Sequence, residues 1–183
     1  MESLLDYAIL PAGPADAEAL GRVHVRAWRE TYPGLLPGHY LERMSPKLHA
    51  RRFQQDLMRA MPGRATLLAE GAEGAIGYAH GVLLSGPGRV ADAEVETLYV
   101  LRAAQRSGVG RGLLTACARV LKAEGAASLM LFVLTGNEPA RRFYERLGGE
   151  AFAEVASHGW GEDVTETAYR WKDIGALAHS LPP

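Results

Sequence analysis

A strand, a glycine-rich turn, a helix and a second strand follow one another in the middle of the chain, and this unit constrains the fold more than any other feature. The segment EVETLYV (94–100) predicts the first strand, and SLMLFVL (128–134) predicts a second one that is buried on both faces. Between them, apolar residues at helical spacing predict a helix from Val109 to about Glu124 that stops at Gly125. A helix between two strands favours a parallel crossover within one sheet.

Shorter segments on both sides of this unit add hairpins to the same sheet. In chain order they are a strand at 7–11, helical segments within 14–32 and 39–58 with a break near Pro46, a hairpin of strands at 66–70 and 75–84, a short helix from Pro139 to about Gly148, and a closing hairpin of strands within 150–158 and 164–173. One crossover combined with hairpins indicates a mixed α/β sheet rather than a doubly wound one. For 183 residues we expect a single domain spanning 1–183.

Composition argues against several kinds of partner and site. The formal net charge is −1, so no overall positive field would recruit nucleic acid or a membrane surface. Cys117 is the only cysteine, which rules out an internal disulfide and argues against a cysteine-built zinc site. The histidines show no HxxxH or HExxH spacing, so we expect no metal site. The sequence contains no apolar run of about 18 residues and no signal pattern, so we expect a cytoplasmic protein.

The turn QRSGVGRG (105–112) offers bare backbone N–H groups to an anion, because glycine has no Cβ to keep a bulky ligand away. A P-loop is excluded, since no lysine follows the glycines. A dinucleotide fold is the weaker alternative, because its GxGxxG pattern would need glycine at Leu113 and a longer chain. A plain tight connection between strand and helix is the structural alternative. The remaining pattern, [QR]xxGx[GA], matches Gln105 to Gly110.

Two motifs together make the chain resemble the GNAT superfamily of acyl-CoA-dependent N-acyltransferases. The first is QRSGVG (105–110), and the second is NEPARRFYERLGG (137–149), an Asn after a strand followed by a helix that carries a Tyr. They occur in the family's order with a helix and a strand between them, and the resemblance spans most of the chain. It implies a mostly antiparallel central sheet with one parallel, splayed strand pair, flanked by helices.

The resemblance also implies how acetyl-CoA, the expected cosubstrate, would lie. Backbone N–H groups of residues 106–111, at the start of a helix, would hold the pyrophosphate. Main-chain groups of residues 98–100 would pair with the pantetheine amides as an added strand does. The cofactor-binding residues expected on this basis are Leu98, Tyr99, Val100, Gln105, Arg106, Ser107, Gly108, Val109, Gly110, Arg111 and Asn137.

Acyl transfer to an amine needs a base, because a free alkyl amine has a pKa of about 10 and is mostly protonated at neutral pH. The resemblance places the base at Glu94 or Glu96, and alternation along the strand puts both on the face that carries Leu98 and Val100. Glu96 would lie roughly 13 Å along the strand from Val100, which is the scale of an extended pantetheine arm. The alternative for these carboxylates is a solvated strand end that also includes Asp92.

Tyr144 is carried over from the second motif as the acid that protonates the leaving thiolate, with a core aromatic as the equal alternative. Cys117 lies on an apolar helical stripe and is expected in the core rather than as a nucleophile. The resemblance implies that the acceptor is bound by the first two helices, their connection and the last hairpin. Its candidate contacts are Trp28, Tyr32, His39, Trp160 and Glu162.

These residues together predict an N-acetyltransferase in which a primary amine attacks acetyl-CoA directly, within a ternary complex. The acceptor would be a small-molecule or peptide amine. The terminal hairpin is a candidate homodimer surface. The alternative function is a non-catalytic acyl-CoA-binding or sensing module, which would keep the glycine turn and lack turnover.

Overall fold

A computed structural model of the chain describes residues 6–59, 61–158 and 163–178, and within them seven strands and six α-helices are present. The strands are β1 (Tyr7–Pro11), β2 (Arg64–Gly71), β3 (Gly74–Leu83), β4 (Ala93–Val100), β5 (Leu129–Leu134), β6 (Glu150–Ser157) and β7 (Val164–Trp171). The helices are α1 (Ala17–Thr31), α2 (Gly38–Arg43), α3 (Pro46–Arg59), α4 (Val109–Ala123), α5 (Glu138–Arg146) and α6 (Ile174–Ala178).

All seven strands form one sheet in the order β1-β2-β3-β4-β5-β7-β6. Neighbouring strands are antiparallel except β4 and β5, which are parallel and joined through α4. The expected mixed α/β class, with a mostly antiparallel sheet and one parallel pair, is confirmed. Helix α6 was not expected, because a helix of five residues is too short to show an apolar stripe in the sequence.

The parallel strands β4 and β5 touch only where they begin. Their pairing is limited to Ala93 with Leu129 and Glu94 with Met130, after which the strands separate. The opening between β4 and β5 beyond Glu94 is called the gap below. A splayed sheet of this kind exposes main-chain groups in its interior, which is where an extended ligand could pair with a strand.

Asp92 fixes the closed end of the gap. Its carboxylate accepts the backbone N–H groups of Ala127 and Ser128, each at 3.1 Å, and the Ser128 hydroxyl at 2.9 Å. The hydrogen bond from the Ser128 hydroxyl, followed by that from Ala127, lowers the pKa of Asp92. Asp92 therefore ties the start of β5 to the start of β4 and has a structural role, rather than being part of a merely solvated strand end.

Helices cover the sheet on both faces. On the α4 face, buried residues of α4 such as Leu113, Cys117 and Leu121 pack against the sheet. On the α1 face, Leu20 and Val23 of α1 pack against those side chains of β2 and β3 that point away from α4. Apolar residues at helical spacing thus place one helical layer on each side of the gap.

A β-bulge interrupts β4 at Glu96. The pairing with β3 passes from Gly81–Val95 directly to His80–Thr97, so Glu96 has no opposite residue on β3. An extra residue in one strand shifts its side-chain alternation by one position. Even-numbered side chains of β4 therefore point to one face of the sheet before the bulge and to the other face after it.

The bulge corrects an expectation about the two carboxylates. Leu98 and Val100, which follow the bulge, pack against the core on the α4 face. Val95 precedes the bulge and belongs to the same core, so the adjacent Glu94 points to the α1 face. Glu96 contacts a β3 side chain on that face. The expectation that both carboxylates share a face with Leu98 and Val100 is wrong, because it assumed unbroken alternation.

A histidine is buried on the α1 face. His24 is 8% exposed, and its Nδ1 lies 2.6 Å from the hydroxyl of Tyr78. Its ring stacks on that of His49, with 4.3 Å between the ring centroids. Burial, together with the nearby charges of His49 and Arg52, lowers the pKa of His24 to about 3. His24 is therefore neutral in the folded protein at neutral pH.

We expect acid to destabilise the fold through His24. Between its ordinary pKa of 6.5 and about 3, the unfolded chain binds a proton at this imidazole that the folded chain does not. The free energy of unfolding should therefore fall as the pH drops through that window, by up to about 5 kcal/mol for this group, and this group should have no effect above it. Urea unfolding of His24→Gln at several pH values should give a flatter profile than the parent.

His39→Gln is the matched control for this experiment, because His39 is exposed on α2. It should keep the pH dependence of the parent. An equally steep loss of stability in acid for His24→Gln would show that the loss arises elsewhere.

Candidate active site

Six consecutive backbone N–H groups, those of residues 106–111, lie at the start of α4. Within the part of the chain that the structure describes, none of the six donates to a protein acceptor. The first main-chain bond of the helix runs from the N–H of Gly112 to the carbonyl of Gly108, at 2.9 Å. Unpaired N–H groups at a helix N-terminus attract anions, so this loop has the chemistry expected of a pyrophosphate site.

The loop needs glycine for its backbone conformation at one position and for packing at another. Gly108 has φ +90°, a left-handed conformation that side chains disfavour, and Arg106 has φ +60°. A Cβ at Gly112 would lie 2.9 Å from Cδ1 of Ile9 and 3.0 Å from the hydroxyl of Tyr7. Gly108 thus shapes the loop, whereas Gly112 lets α4 pack against β1.

Main-chain groups of Leu98 and Val100 point into the gap. The N–H of Leu101 donates to the carbonyl of Ile76 on β3 at 2.9 Å, and successive residues of a strand direct these groups to opposite sides. The main-chain groups of Leu98 and Val100 therefore point away from β3, towards the space that β5 has left. The Gln105 side chain donates to the carbonyl of Val100 at 3.1 Å, which ties the loop to the end of β4.

Gly110, in the first turn of α4, faces side chains of α5 and β4. A Cβ at Gly110 would lie 3.5 Å from Cζ of Phe143 and 3.7 Å from Cγ2 of Val100. At the N-terminus of α5, the Oδ1 of Asn137 accepts the N–H of Ala140 at 3.3 Å. Asn137 thus serves as the N-cap of α5, while its contact with pantetheine stays a prediction.

Glu94 lies at the closed end of the gap, half-buried on the α1 face. Burial, followed by the charges of Glu96 and Glu166, raises the pKa of Glu94. The Glu96 side chain is more open, with 49% of its surface exposed, and its Oε2 lies 3.4 Å from Nε2 of His80. A carboxylate with a raised pKa is a better proton acceptor for an ammonium group than an unperturbed one, which suits Glu94 to the predicted role of base.

Tyr144 is 7% exposed and packs among core aromatics. Its ring centroid lies 6.0 Å from that of Tyr169 and 6.3 Å from that of Trp171. Among the described residues no hydrogen-bond partner for its hydroxyl is present, and burial, followed by Tyr32, raises the pKa of Tyr144. The side chain therefore belongs to the core and also keeps a proton that it could donate.

Aromatic side chains line the α1 side of the gap. The rings of Trp28 and Tyr32 have centroids 4.9 Å apart, and the hydroxyl of Tyr32 lies 3.1 Å from that of Tyr99. His39 is exposed on α2. Trp28 and Tyr32 thus lie together where an acceptor would approach. The candidates Trp160 and Glu162 lie outside the described residues.

Sequence reasoning missed three polar residues that lie near the carboxylates of Glu94 and Glu96. Glu166 of β7 is half-buried, and burial raises its pKa. His80 of β3 contacts Glu96, and Thr66 of β2 contacts His80. The alternation of β7 would have placed Glu166 on a face of the sheet, but its position near Glu94 depends on the insertion of β7 beside β5. The two other residues require the β2–β3–β4 register, which the sequence does not give.

The described residues offer no site for catalysis by a cysteine nucleophile or for binding of a metal ion. Cys117 is fully buried, and burial raises the pKa of its thiol to about 12, so the expected core role is confirmed. Within residues 6–59, 61–158 and 163–178, no three His, Cys, Asp or Glu side chains come together as a metal site would require. In the same residues, no helix is long and apolar enough to cross a membrane.

Comparison with known proteins gives a consistent result. Residues 25–149 match the acetyltransferase (GNAT) family. Similar sequences include the uncharacterized N-acetyltransferase YuaI of Bacillus subtilis, 29% identical over 88% of this chain and 91% of the relative. The probable N-acetyltransferase Rv2775 of Mycobacterium tuberculosis is 31% identical over 96% of this chain and 95% of the relative.

Solved structures share the fold at lower sequence identity. The PaiA N-acetyltransferase from Thermoplasma acidophilum, in complex with coenzyme A, has a TM-score of 0.72 at 19% identity, covering 91% of this chain and 100% of that one. YncA from Salmonella typhimurium, a putative acetyltransferase with its cofactor acetyl-CoA, has a TM-score of 0.66 at 20% identity, covering 97% and 98%.

Proposed function

Because the chain belongs to the acetyltransferase (GNAT) family, we propose that it transfers the acetyl group of acetyl-CoA to a primary amine by direct attack within a ternary complex. One observation carries the proposal: the N–H groups of residues 106–111 have no protein acceptor among the described residues, and they follow the strand β4 that separates from β5 beyond Glu94. The coenzyme A and acetyl-CoA bound in PaiA and YncA support the choice of acyl donor.

The chain's own groups fit the parts of this donor. The amides of residues 106–111 bind the diphosphate, since they have no protein acceptor among the described residues and surround the left-handed Gly108. The main-chain groups of Leu98 and Val100 pair with the pantetheine amides. Bound acetyl-CoA would supply a thioester, whose thiol has a pKa near 8.5 and leaves more readily than an alkoxide. This binding positions the acyl group towards Glu94.

Three proton transfers complete the reaction. Glu94 accepts a proton from the acceptor ammonium, R–NH₃⁺, so that the amine gains the lone pair with which it attacks. The bulge keeps Glu94 on the α1 face, opposite the α4 face that carries the diphosphate loop, so amine and donor approach from different sides. Tyr144, which its buried position keeps protonated, donates to the leaving sulfur and regains a proton from the attacking nitrogen, which loses its second proton as the amide forms.

The acceptor side is aromatic and acidic. Trp28 and Tyr32 contact the carbon chain of a small-molecule or peptide amine, with its ammonium group directed to Glu94. Glu166 contributes a second half-buried carboxylate near this position. A cationic amine would relieve the repulsion between these carboxylates, which favours its binding.

Acetyl-CoA mixed with the protein should release free thiol at a rate that depends on added amine. A thiol reagent follows release, and mass spectrometry identifies the acetylated product, with a panel that contains a small alkylamine, an amine antibiotic, a peptide N-terminus and a lysine peptide. Calorimetric binding of acetyl-CoA without amine-dependent release for any of these acceptors would favour the non-catalytic sensing module instead.

A further inference from the structure

Thr66, His80 and Glu96 form a contact chain across β2, β3 and β4. Thr66 lies opposite His80 in the β2–β3 register, with its Oγ1 2.7 Å from Nδ1 of the imidazole. The other ring nitrogen, Nε2, lies 3.4 Å from Oε2 of Glu96. Glu96 is the bulged residue of β4, so the local break in the ladder brings its carboxylate to this imidazole. We call this contact chain the Thr–His–Glu row.

The donors and acceptors of the row fix one arrangement of protons. An ionised carboxylate only accepts hydrogen bonds, so the nitrogen that faces Glu96 carries the proton. Nδ1 of a neutral imidazole is then an acceptor, and the Thr66 hydroxyl donates to it. The Thr66 hydroxyl thus fits the tautomer in which the Nε2–H of His80 faces Glu96, and holds the ring in place through Nδ1.

The surroundings keep His80 neutral. Its side chain is only 17% exposed, and the charged groups that face it are Glu96 on β4, Arg64 on β2 and Asp56 on α3. Burial lowers the pKa of His80 more than these carboxylates raise it. His80 therefore acts as a fixed hydrogen donor at neutral pH rather than as a second base.

Glu96 in turn acts on Glu94. The groups whose charges bear on Glu94 are Glu96 on its own strand and Glu166 on β7. Without a partner the half-exposed Glu96 side chain could turn into solvent, where its charge would be screened. The imidazole holds that charge on the α1 face, close to Glu94.

We propose that His80 is a positioning residue, which holds ionised Glu96 beside Glu94 and thereby sets the pH at which Glu94 becomes available as the base. This inference rests on the proposed role of Glu94. It predicts that loss of the row lowers the pH at which activity appears, because Glu94 then ionises more easily. A merely structural His80 would change stability or the maximal rate without moving that pH.

The test is the pH dependence of kcat for the intact enzyme with acetyl-CoA and its best amine. His80→Phe keeps the aromatic volume but lacks the N–H, and should move the acid limb to lower pH by about 0.5 unit or more, the order expected for a weakened neighbouring charge. His80→Gln, whose amide can still donate, should restore most of the parent profile. Thr66→Val should shift the limb in the same direction as His80→Phe, and Thr66→Ser should not.

The double variant makes the test specific. Glu96→Gln alone should shift the limb downwards, and adding His80→Phe should then shift it no further, because both changes remove the same charge. An equal additional shift, no shift in any variant, or loss of activity in Glu96→Gln as severe as in Glu94→Gln would overturn the inference. Full activity of Glu94→Gln would instead overturn the proposed base, which is a different result.

Discussion

Gly110→Val should weaken acetyl-CoA binding by at least about a hundredfold. A Cβ at this position would only touch Phe143 and Val100, at 3.5 and 3.7 Å, so the first carbon fits. The two methyl groups of valine extend further, and in a helix they are held in one rotamer. They would therefore occupy the space beside Val100 and Phe143 where we propose that the pantetheine arm binds. Isothermal calorimetry with coenzyme A measures the loss directly.

Gly110→Ala is the matched control for this variant. It adds only the Cβ and raises helix propensity, so it should bind coenzyme A almost as the parent does and unfold at an equal or higher temperature. The valine variant should keep its fold as judged by circular dichroism. Gly108→Val is a less informative change, because its positive φ would strain any side chain and disturb the loop itself. Unchanged affinity in Gly110→Val would contradict the proposed path of the donor.

Glu94→Gln should lower kcat by at least about a hundredfold, the usual contribution of a positioned general base. The amide has the size of the carboxylate but accepts no proton from an ammonium group at neutral pH. The affinity for coenzyme A should stay within about twofold of the parent, because Glu94 lies at the closed end of the gap, away from residues 106–111. Steady-state kinetics and calorimetry on the same preparation separate the two effects.

The activity of Glu94→Gln should also depend on pH in a specific way. Raising the pH deprotonates part of the acceptor in solution, so the deficit relative to the parent should shrink towards the amine pKa of about 10. Glu70→Gln, exposed on β2 opposite Ala8, is the control and should leave the kinetics unchanged. A deficit that stays constant across pH would mean that Glu94 has a role other than proton acceptance.

The sequence predicted elements more readily than their arrangement. Glycines and prolines mark where segments end, and Gly125 and Gly148 have the positive φ values expected after α4 and α5. The order of the strands in the sheet was harder to predict, since the sequence alone does not show that β7 rather than β6 pairs with β5. That choice depends on contacts between distant parts of the chain.

The parts of the candidate site that consist of backbone groups could be predicted from the sequence. The side-chain positions that depend on the pairing register of the strands could not. The amides of residues 106–111 follow from a local glycine pattern, so their exposure to a ligand could be expected. The face of the sheet to which Glu94 points could not be predicted, because no residue pattern in EVETLYV indicates a bulge at Glu96. His80 stayed unnoticed for a related reason, since its partner lies 16 residues later, across a hairpin whose register shifts between them.

The amide resonances of residues 106–111 give the most direct test of the central claim, that these backbone N–H groups bind the diphosphate of the acyl donor. In ¹⁵N-labelled protein, saturating coenzyme A should shift all or most of these resonances, whereas pantetheine, which lacks the diphosphate, should leave them close to their free positions. Resonances of residues 106–111 that stay unmoved by coenzyme A, while those of another surface respond, would contradict the account.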